Sequence, residues 1–248
     1  MNSITVAPSA SLEAGQRAAT ILKKAIAEEG LARVIFASAP SQEGMLRTLC
    51  SDPDVDWSKV QSFHMDEYLG LPMDDSRAFG QWLLDRLPAE AHAGFHRIDS
   101  TAEARAEIDR YSAMIDKGVI HLTCLGVGMN GHVAFNEPGT VDFDGAELVR
   151  LVELDEMSRL QQVEEGLFST VDEVPTHAVT LTFAALARGS ALVCTVLGQH
   201  KAAAVAAAID GPITEDCPAS GLKLLRQVHW FLDPAAGSAL QSMVSSGS

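Results

Sequence analysis

Strand-like and helix-like segments alternate along this chain, and the alternation constrains its fold more than any other feature. Short apolar runs are separated by longer stretches in which apolar residues recur at helical spacing. This order is typical of an α/β domain with a mostly parallel sheet and helices on both of its faces. The pattern predicts strands at residues 33–37, 60–64, 120–125, 191–197 and 228–232, and helices at residues 11–29, 42–50, 77–87, 103–117, 155–166 and 201–209.

Composition narrows the classes of protein and partner. We expect one domain over residues 1–248, because 47% of the chain is hydrophobic and no low-complexity linker divides it. The formal net charge of -15 argues against nucleic acid and against an anionic membrane as partners. No apolar run has the length of a membrane helix and the first residues do not resemble a signal peptide, so the expected location is the cytoplasm.

Cysteine and histidine spacing gives no sign of a metal. The four cysteines form no C-x-x-C pair, and the eight histidines show no H-E-x-x-H spacing. We therefore expect buried free thiols and no metal or other cofactor. The composition leaves open whether the chain forms a homo-oligomer.

The segment from residue 122 to residue 139 passes from an apolar strand into a glycine-rich loop. His132 and Glu137 follow its glycines and are five residues apart. Glycine lets a backbone approach a ligand closely, and Gly128 lies at the centre of the loop. Imidazole and carboxylate groups can move protons near neutral pH. The loop therefore predicts chemistry on a small polar molecule, with a surface histidine on a structural turn as the alternative.

The same loop also matches the G-x-G-x-x-G pattern of dinucleotide-binding domains between residues 126 and 131. That pattern requires a long helix that begins at its third glycine. Here Pro138 and Gly139 interrupt the chain within two turns, so the sequence disfavours a dinucleotide site.

Ligands of parallel α/β sheets bind at the carboxyl ends of the strands, where several polar residues of this chain are expected to meet. Asp66 and Glu67 follow one predicted strand beside apolar neighbours, where desolvation would raise the pKa of a carboxyl group toward that of a useful base. Adjacent side chains of an extended segment point to opposite sides, so at most one of the two faces the site. The alternative is a solvated turn with two acids.

Two cations are candidates for an anion site. Lys201 opens a predicted helix, where a cation and backbone N–H groups can bind a phosphate together. Arg159 lies in an acidic helix and is a weaker candidate. A solvated side chain is the alternative for Lys201, and an ion pair with Asp155 is the alternative for Arg159.

Taken together, these motifs resemble the glucosamine-6-phosphate deaminase (isomerase) family. The resemblance implies a Rossmann-like α/β fold without a dinucleotide, and conversion of an amino-sugar phosphate to fructose 6-phosphate and ammonia without a metal. The matching segments occur in the family's order and are residues 63–71 (FHMDEYLGL), 125–138 (LGVGMNGHVAFNEP), 174–181 (VPTHAVTL) and 197–201 (LGQHK).

The resemblance also implies roles for individual residues. Asp66 corresponds to the base that moves a proton between C2 and C1 of the open-chain sugar. His132 corresponds to the group that opens the pyranose ring, and Glu137 to the carboxylate that orients this histidine. Lys201 corresponds to a phosphate ligand. A histidine suits ring opening because it can both give and take a proton at neutral pH.

The chain departs from the family at two places. Asn130 replaces the aspartate of the family's Asp-Gly-His sequence, and we expect its oxygen to accept a hydrogen bond from the imidazole less strongly than a carboxylate would. The phosphate loop reads SAPSQEG from residue 38 to 44, where Pro40 lacks a donor and Glu43 adds a negative charge. The hydroxyls of Ser38 and Ser41 are expected to compensate.

Three other functions compete with deamination. A 6-phosphogluconolactonase shares the fold, but its Gly-His is typically followed by Ala-Ser-Leu-Phe-Pro, whereas this chain has Phe135-Asn-Glu-Pro138. A sugar-phosphate isomerase could use the same enolisation on a substrate without an amine. A non-catalytic sensor is disfavoured by the joint presence of Asp66, His132 and Glu137.

Overall fold

A seven-stranded parallel sheet forms the centre of the protein, which we describe from a computed structural model covering residues 2–154, 156–164 and 166–241. Its strand order is β1-β10-β9-β6-β2-β3-β5, and a second, antiparallel sheet has the order β4-β8-β7. The strands are β1 (Ser3–Val6), β2 (Ala32–Phe36), β3 (Val60–His64), β4 (Asp66–Tyr68), β5 (Phe95–His96), β6 (Ile120–Leu125), β7 (Val149–Glu153), β8 (His177–Leu181), β9 (Gly189–Val196) and β10 (Val228–Leu232).

Six of the seven helices in the described part of the chain overlap their predicted positions, although the helix at Phe79–Leu84 is shorter than predicted, and the helix at Phe183–Leu186 was not predicted. The longest, α1, ends where Gly30 takes a left-handed conformation with φ 76° and donates its N–H to the Ile26 carbonyl at 2.9 Å. The helices are α1 (Ala10–Glu29), α2 (Glu43–Cys50), α3 (Phe79–Leu84), α4 (Ala104–Asp116), α5 (Glu156–Glu164), α6 (Phe183–Leu186) and α7 (Ala202–Ile209).

Two apolar layers cover the two faces of the large sheet. In β2, Val34 and Phe36 pack into one layer with buried residues of α1 and α2. Ile35, on the opposite side of the same strand, packs into the other layer with buried residues of α4 and α7. The predicted fold class, a mostly parallel sheet with helices on both faces, is therefore confirmed.

The antiparallel sheet was not predicted from the sequence. Its first strand, β4, has three residues, and Asp66 pairs with Thr180, more than one hundred residues later. On the other side of β8, Thr180 pairs with Arg150. This sheet joins the carboxyl end of β3 to the glycine-rich loop, because the Thr180 hydroxyl accepts a hydrogen bond from the Phe135 N–H at 3.1 Å.

The four cysteines are all free thiols, as the sequence predicted, and Cys124, Cys194 and Cys217 are buried. Within the described ranges, the helices are too short or too polar to cross a bilayer.

Candidate active site

Asp66 lies in β4, directly after the carboxyl end of β3, and the residue is only 9% exposed. Burial, with a smaller contribution from the neighbouring charge of Glu67, raises the pKa of its carboxyl group to about 8. A carboxyl group with this pKa exchanges protons near neutral pH, as a general base must. The expected desolvation of Asp66 is thus confirmed.

Glu67 points to a different part of the structure. Its side chain is completely buried and accepts hydrogen bonds from the backbone N–H groups of Phe79 at 3.0 Å and Gly80 at 2.8 Å. Both donors belong to the first turn of α3, so Glu67 holds the helix start through its carboxylate. The alternative of two acids in a solvated turn is wrong for this pair.

The glycine-rich loop, residues 126–139, forms a tight turn before His132. The Gly128 N–H donates to the His132 carbonyl at 2.9 Å, and Gly131, with φ 88°, donates to the Gly128 carbonyl at 3.1 Å. A Cβ atom on Gly128 would lie 2.2 Å from Cε1 of His132, so the imidazole packs directly on this glycine. No helix begins at Gly131 within residues 126–148, and the loop therefore lacks the helix that a dinucleotide site needs.

His132 and Glu137 face each other across this loop, with 3.3 Å between His132 Nδ1 and Glu137 Oε1. Both side chains are partly exposed, so a ligand can reach them. The structure thus brings together the histidine and the carboxylate that the sequence placed five residues apart.

Asn130 does not contact the imidazole in the way the sequence suggested. Its Nδ2 donates to Glu137 Oε2 at 2.7 Å, and its Oδ1 accepts the backbone N–H of His132 at 3.1 Å. The expected hydrogen bond from the imidazole to Asn130 is therefore wrong. The amide instead bridges the two ends of the loop and orients the Glu137 carboxylate.

The loop at residues 38–44 lies at the end of β2. The Ser38 hydroxyl donates to the Phe79 carbonyl at 3.1 Å, and Ser41 accepts a hydrogen bond from Gln42 Nε2 at 3.2 Å. Ser41 also lies at the glycine-rich loop, since a Cβ atom on Gly126 would be 3.4 Å from its hydroxyl oxygen. Both predicted serines therefore lie at the expected sheet edge.

Gln42 is a residue of this region that sequence reasoning missed. It is fully buried, and its Nε2 donates to the Thr195 carbonyl of β9 at 3.1 Å. A Cβ atom on Gly126 would lie 3.1 Å from the same nitrogen. Gln42 thus joins the ends of β2, β6 and β9. No local pattern signals it, because its partner is 153 residues away.

Lys201 is half-buried between the end of β9 and α7. The preceding turn is held by Gly198, whose N–H donates to both carboxylate oxygens of Asp233 at 3.1 Å. Lys201 therefore follows a fixed turn at the predicted carboxyl edge of the sheet, and its role in binding an anion stays a prediction.

Arg159 is engaged with the protein backbone. Its Nη2 donates to the carbonyls of Val171 at 2.6 Å and Val174 at 3.0 Å, which ties α5 to the turn before β8. Asp155, the alternative partner considered for Arg159, lies outside the described residues. A role for Arg159 in binding a phosphate stays a prediction.

A second anchor of the glycine-rich loop was also missed. Buried Asn136 donates from Nδ2 to the carbonyls of Val133 at 2.8 Å and Leu181 at 2.9 Å, and Arg150 donates from Nη2 to Asn136 Oδ1 at 3.2 Å. Arg150 also donates to the Thr140 carbonyl at 2.8 Å. These contacts fix the backbone on both sides of Glu137.

In the parts of the chain that the structure describes, no three His, Cys, Asp or Glu side chains are grouped to hold a metal ion.

Comparison with known proteins identifies relatives that span nearly the whole chain. Glucosamine-6-phosphate deaminases of Streptococcus equi subsp. zooepidemicus and Enterococcus faecalis are each 31% identical to it, over 92% of this chain and 96% of theirs. A solved structure of a monomeric glucosamine-6-phosphate deaminase has a TM-score of 0.82 at 29% identity and covers 96% of this chain and 98% of its own.

A 6-phosphogluconolactonase structure from Thermotoga maritima has a TM-score of 0.74 at 18% identity, covers 94% of this chain and 100% of its own, and shares the fold. The model of a family described as glucosamine-6-phosphate isomerases/6-phosphogluconolactonase matches residues 7–230. With this match and the deaminase relatives at 31% identity, the chain belongs to that family.

Proposed function

We propose that the protein is a glucosamine-6-phosphate deaminase, which converts glucosamine 6-phosphate to fructose 6-phosphate and ammonia. The observation that carries this proposal is the meeting of two kinds of proton-transfer group at one sheet edge. One is the buried Asp66, and the other is the His132 and Glu137 pair on the neighbouring loop. The curated deaminases that cover most of the chain support the same activity.

Ring opening is the first step of the proposed reaction. His132 protonates the ring oxygen O5 and takes the proton of the O1 hydroxyl, so that the C1–O5 bond breaks and an aldehyde forms at C1. Glu137 faces the imidazole at 3.3 Å and orients it, and Asn130 holds the carboxylate in place.

Isomerisation follows on the open chain. Asp66 removes the proton from C2 while the aldehyde oxygen O1 takes a proton from the C2 ammonium group, which gives an enolamine between C1 and C2. Asp66 then returns its proton to C1. The product is an imine at C2. Water adds to this carbon, ammonia leaves, and the ketone of fructose 6-phosphate remains. One group can perform both proton transfers because its pKa is about 8 and lies near neutral pH.

The phosphate of the substrate is assigned to the same sheet edge, at the ends of β2 and β9. Lys201 supplies the cation, and the hydroxyls of Ser38 and Ser41 supply neutral hydrogen-bonding groups. Gly128 contributes by packing against the imidazole. These steps require proton transfer and water, so the proposal includes no metal or nucleotide.

The activity is tested by incubating the protein with glucosamine 6-phosphate, galactosamine 6-phosphate and 6-phosphogluconolactone. Ammonia is measured enzymatically, and the ketose phosphate and the acid are measured by NMR. We expect ammonia and fructose 6-phosphate in equal amounts from glucosamine 6-phosphate, unchanged by EDTA. Lactone hydrolysis without ammonia release would overturn the proposal. The Asp66→Asn variant serves as the matched control for contaminating deaminase.

A further inference from the structure

Glu67 is a completely buried carboxylate that the proposed reaction does not use. Its Oε1 accepts the backbone N–H groups of Tyr68 and Phe79, each at 3.0 Å, and its Oε2 accepts that of Gly80 at 2.8 Å. The pKa of Glu67 is raised overall, because burial outweighs the lowering effect of these three donors. Donors on both oxygens favour the ionised form, so a negative charge is held in one orientation.

The first turn of α3, which Glu67 holds, touches the other parts of the candidate site. The Phe79 carbonyl accepts the hydroxyl of Ser38 at 3.1 Å. The Phe79 ring packs on Tyr68 with 4.7 Å between ring centroids and on Phe135, in the glycine-rich loop, with 6.1 Å. One carboxylate therefore fixes a turn that contacts β4, the loop at residues 38–44 and the glycine-rich loop.

The space around this carboxylate is filled. A Cβ atom on Gly80 would lie 3.2 Å from Glu67 Oε2 and 2.7 Å from Arg97 Nε. Larger residues at position 80 would displace one of these groups. The fit indicates that the carboxylate has little freedom to move away from its neighbours.

The titratable groups packed around Asp66 and Glu67 come from three further elements. His64, at the end of β3, accepts the Ile98 N–H on Nε2 and stays neutral, because burial lowers its pKa to about 3. Arg97, after β5, lowers the pKa of Glu67. Tyr111 of α4 bonds to the His64 carbonyl at 2.9 Å, and burial raises its pKa, so it is neutral.

We propose that Glu67 is a positioning residue for Asp66, which pins α3 beside the proposed base and places a fixed negative charge next to it. This inference rests on the proposed role of Asp66 in deamination. The neighbouring charge makes Asp66 hold a proton more tightly, so the group that takes the proton from C2 is also able to deliver it to C1.

Two variants separate the charge of Glu67 from its contact with α3. Glu67→Gln keeps the length of the side chain and removes the charge. Glu67→Asp keeps the charge and withdraws the carboxylate from Phe79 and Gly80. Glu103→Gln is the matched control, because Glu103 also accepts two backbone N–H groups, at 2.9 Å each, at the start of a helix, α4.

The measurement is exchange of the substrate's C2 proton with deuterated solvent, followed by NMR as a function of pH. In wild type the rate rises with pH as Asp66 ionises. We expect Glu67→Gln to move this rise to lower pH by about one unit, as expected for the loss of a neighbouring like charge. Glu67→Asp is expected to keep the position of the rise and to lower the maximal rate, and Glu103→Gln to match wild type.

An unchanged position of the rise in Glu67→Gln would overturn the inference, while the activity of wild type would still support the proposed function. Absence of exchange in wild type would instead contradict the proposed function itself. If Glu67→Gln does not fold, wild type with ¹³C-labelled side-chain carboxyl groups gives the answer. The Glu67 carbon should keep the shift of a carboxylate between about pH 6 and pH 9 while Asp66 titrates, and a Glu67 carbon protonated in this range would contradict the inference.

Discussion

Asn130 donates a 2.7 Å hydrogen bond from Nδ2 to Oε2 of Glu137. The other carboxylate oxygen, Oε1, is thereby left facing His132 Nδ1 at 3.3 Å. The asparagine at this position is therefore a donor to the carboxylate, whereas the family's aspartate could offer only an acceptor when ionised.

Restoring the family's aspartate should impair this chain. Asn130→Asp places two carboxylates within hydrogen-bonding distance, so one must bind a proton or move away. We expect kcat/KM for glucosamine 6-phosphate to fall by at least about tenfold near neutral pH, in line with the loss of a charge-assisted hydrogen bond. Asn130→Ala is the control that removes the bond without adding charge. Turnover equal to or above wild type in Asn130→Asp would show that Asn130 and Glu137 are not coupled.

Replacing Gly128 should displace the imidazole. In Gly128→Ala the new methyl group would lie 2.2 Å from His132 Cε1, so the ring must move. We expect kcat to fall by about 100-fold, the size of effect that a misplacement of about 1 Å produces. Gly145→Ala, in the same connection between β6 and β7, is the control, because the atoms nearest to its methyl group belong to the exposed side chain of Asp142, which can move away. A kcat of Gly128→Ala equal to that of wild type would show that ring opening does not depend on the position of the His132 imidazole.

The anion site is tested through Lys201. Lys201→Ala should raise KM for glucosamine 6-phosphate by at least about tenfold with a smaller change in kcat, because it removes binding that ground state and transition state share. Inhibition by inorganic phosphate should weaken in parallel. Lys24→Ala, on an exposed part of α1, is the control. An unchanged KM and an unchanged inhibition would mean that the phosphate binds at another place.

Burial of Asp66 should also appear in the pH dependence of stability. Its pKa is about 8 in the folded protein and about 4 in the unfolded chain, so folding binds a proton between these values. This contribution to stability is complete below the unfolded pKa and is lost as pH rises toward 8. Relative to Asp66→Asn, the free energy of unfolding of wild type should fall by up to about 1.4 kcal/mol per pH unit. Urea unfolding at a series of pH values measures this difference. If the free energies of unfolding of the two proteins change with pH in parallel, Asp66 is ionised at neutral pH.

Sequence patterns predicted five of the seven strands of the large sheet, because these five are mostly buried apolar runs. They missed β1, which is exposed or half-buried along its length, and β5, which has two residues. The strands β3, β6 and β10 begin and end at the predicted residues. The rule that ligands bind at strand carboxyl ends also predicted that Asp66, His132 and the 38–44 loop lie at one edge of the sheet.

Sequence patterns could not predict the antiparallel sheet or the hydrogen bonds within the site. The strand β4 is too short for a periodic signal, and its pairing with β8 is set by tertiary contacts. The hydrogen-bond partner of the Asn130 side chain could not be predicted from the sequence either. Its residue type allowed a bond to the imidazole, but the turn geometry directs its amide to Glu137. Side-chain direction in a loop depends on backbone angles that neighbouring residue types do not determine.

The most direct test of the proposed reaction compares wild type with Asp66→Asn in deuterated water containing glucosamine 6-phosphate. We predict that wild type exchanges the C2 proton and releases ammonia. Asp66→Asn should do neither, while it binds the sugar phosphate within a few-fold of wild type in a calorimetric titration, because the substitution removes a base and leaves the phosphate contacts intact. Exchange of the C2 proton by Asp66→Asn at a rate near that of wild type would contradict the assignment of Asp66 as the base.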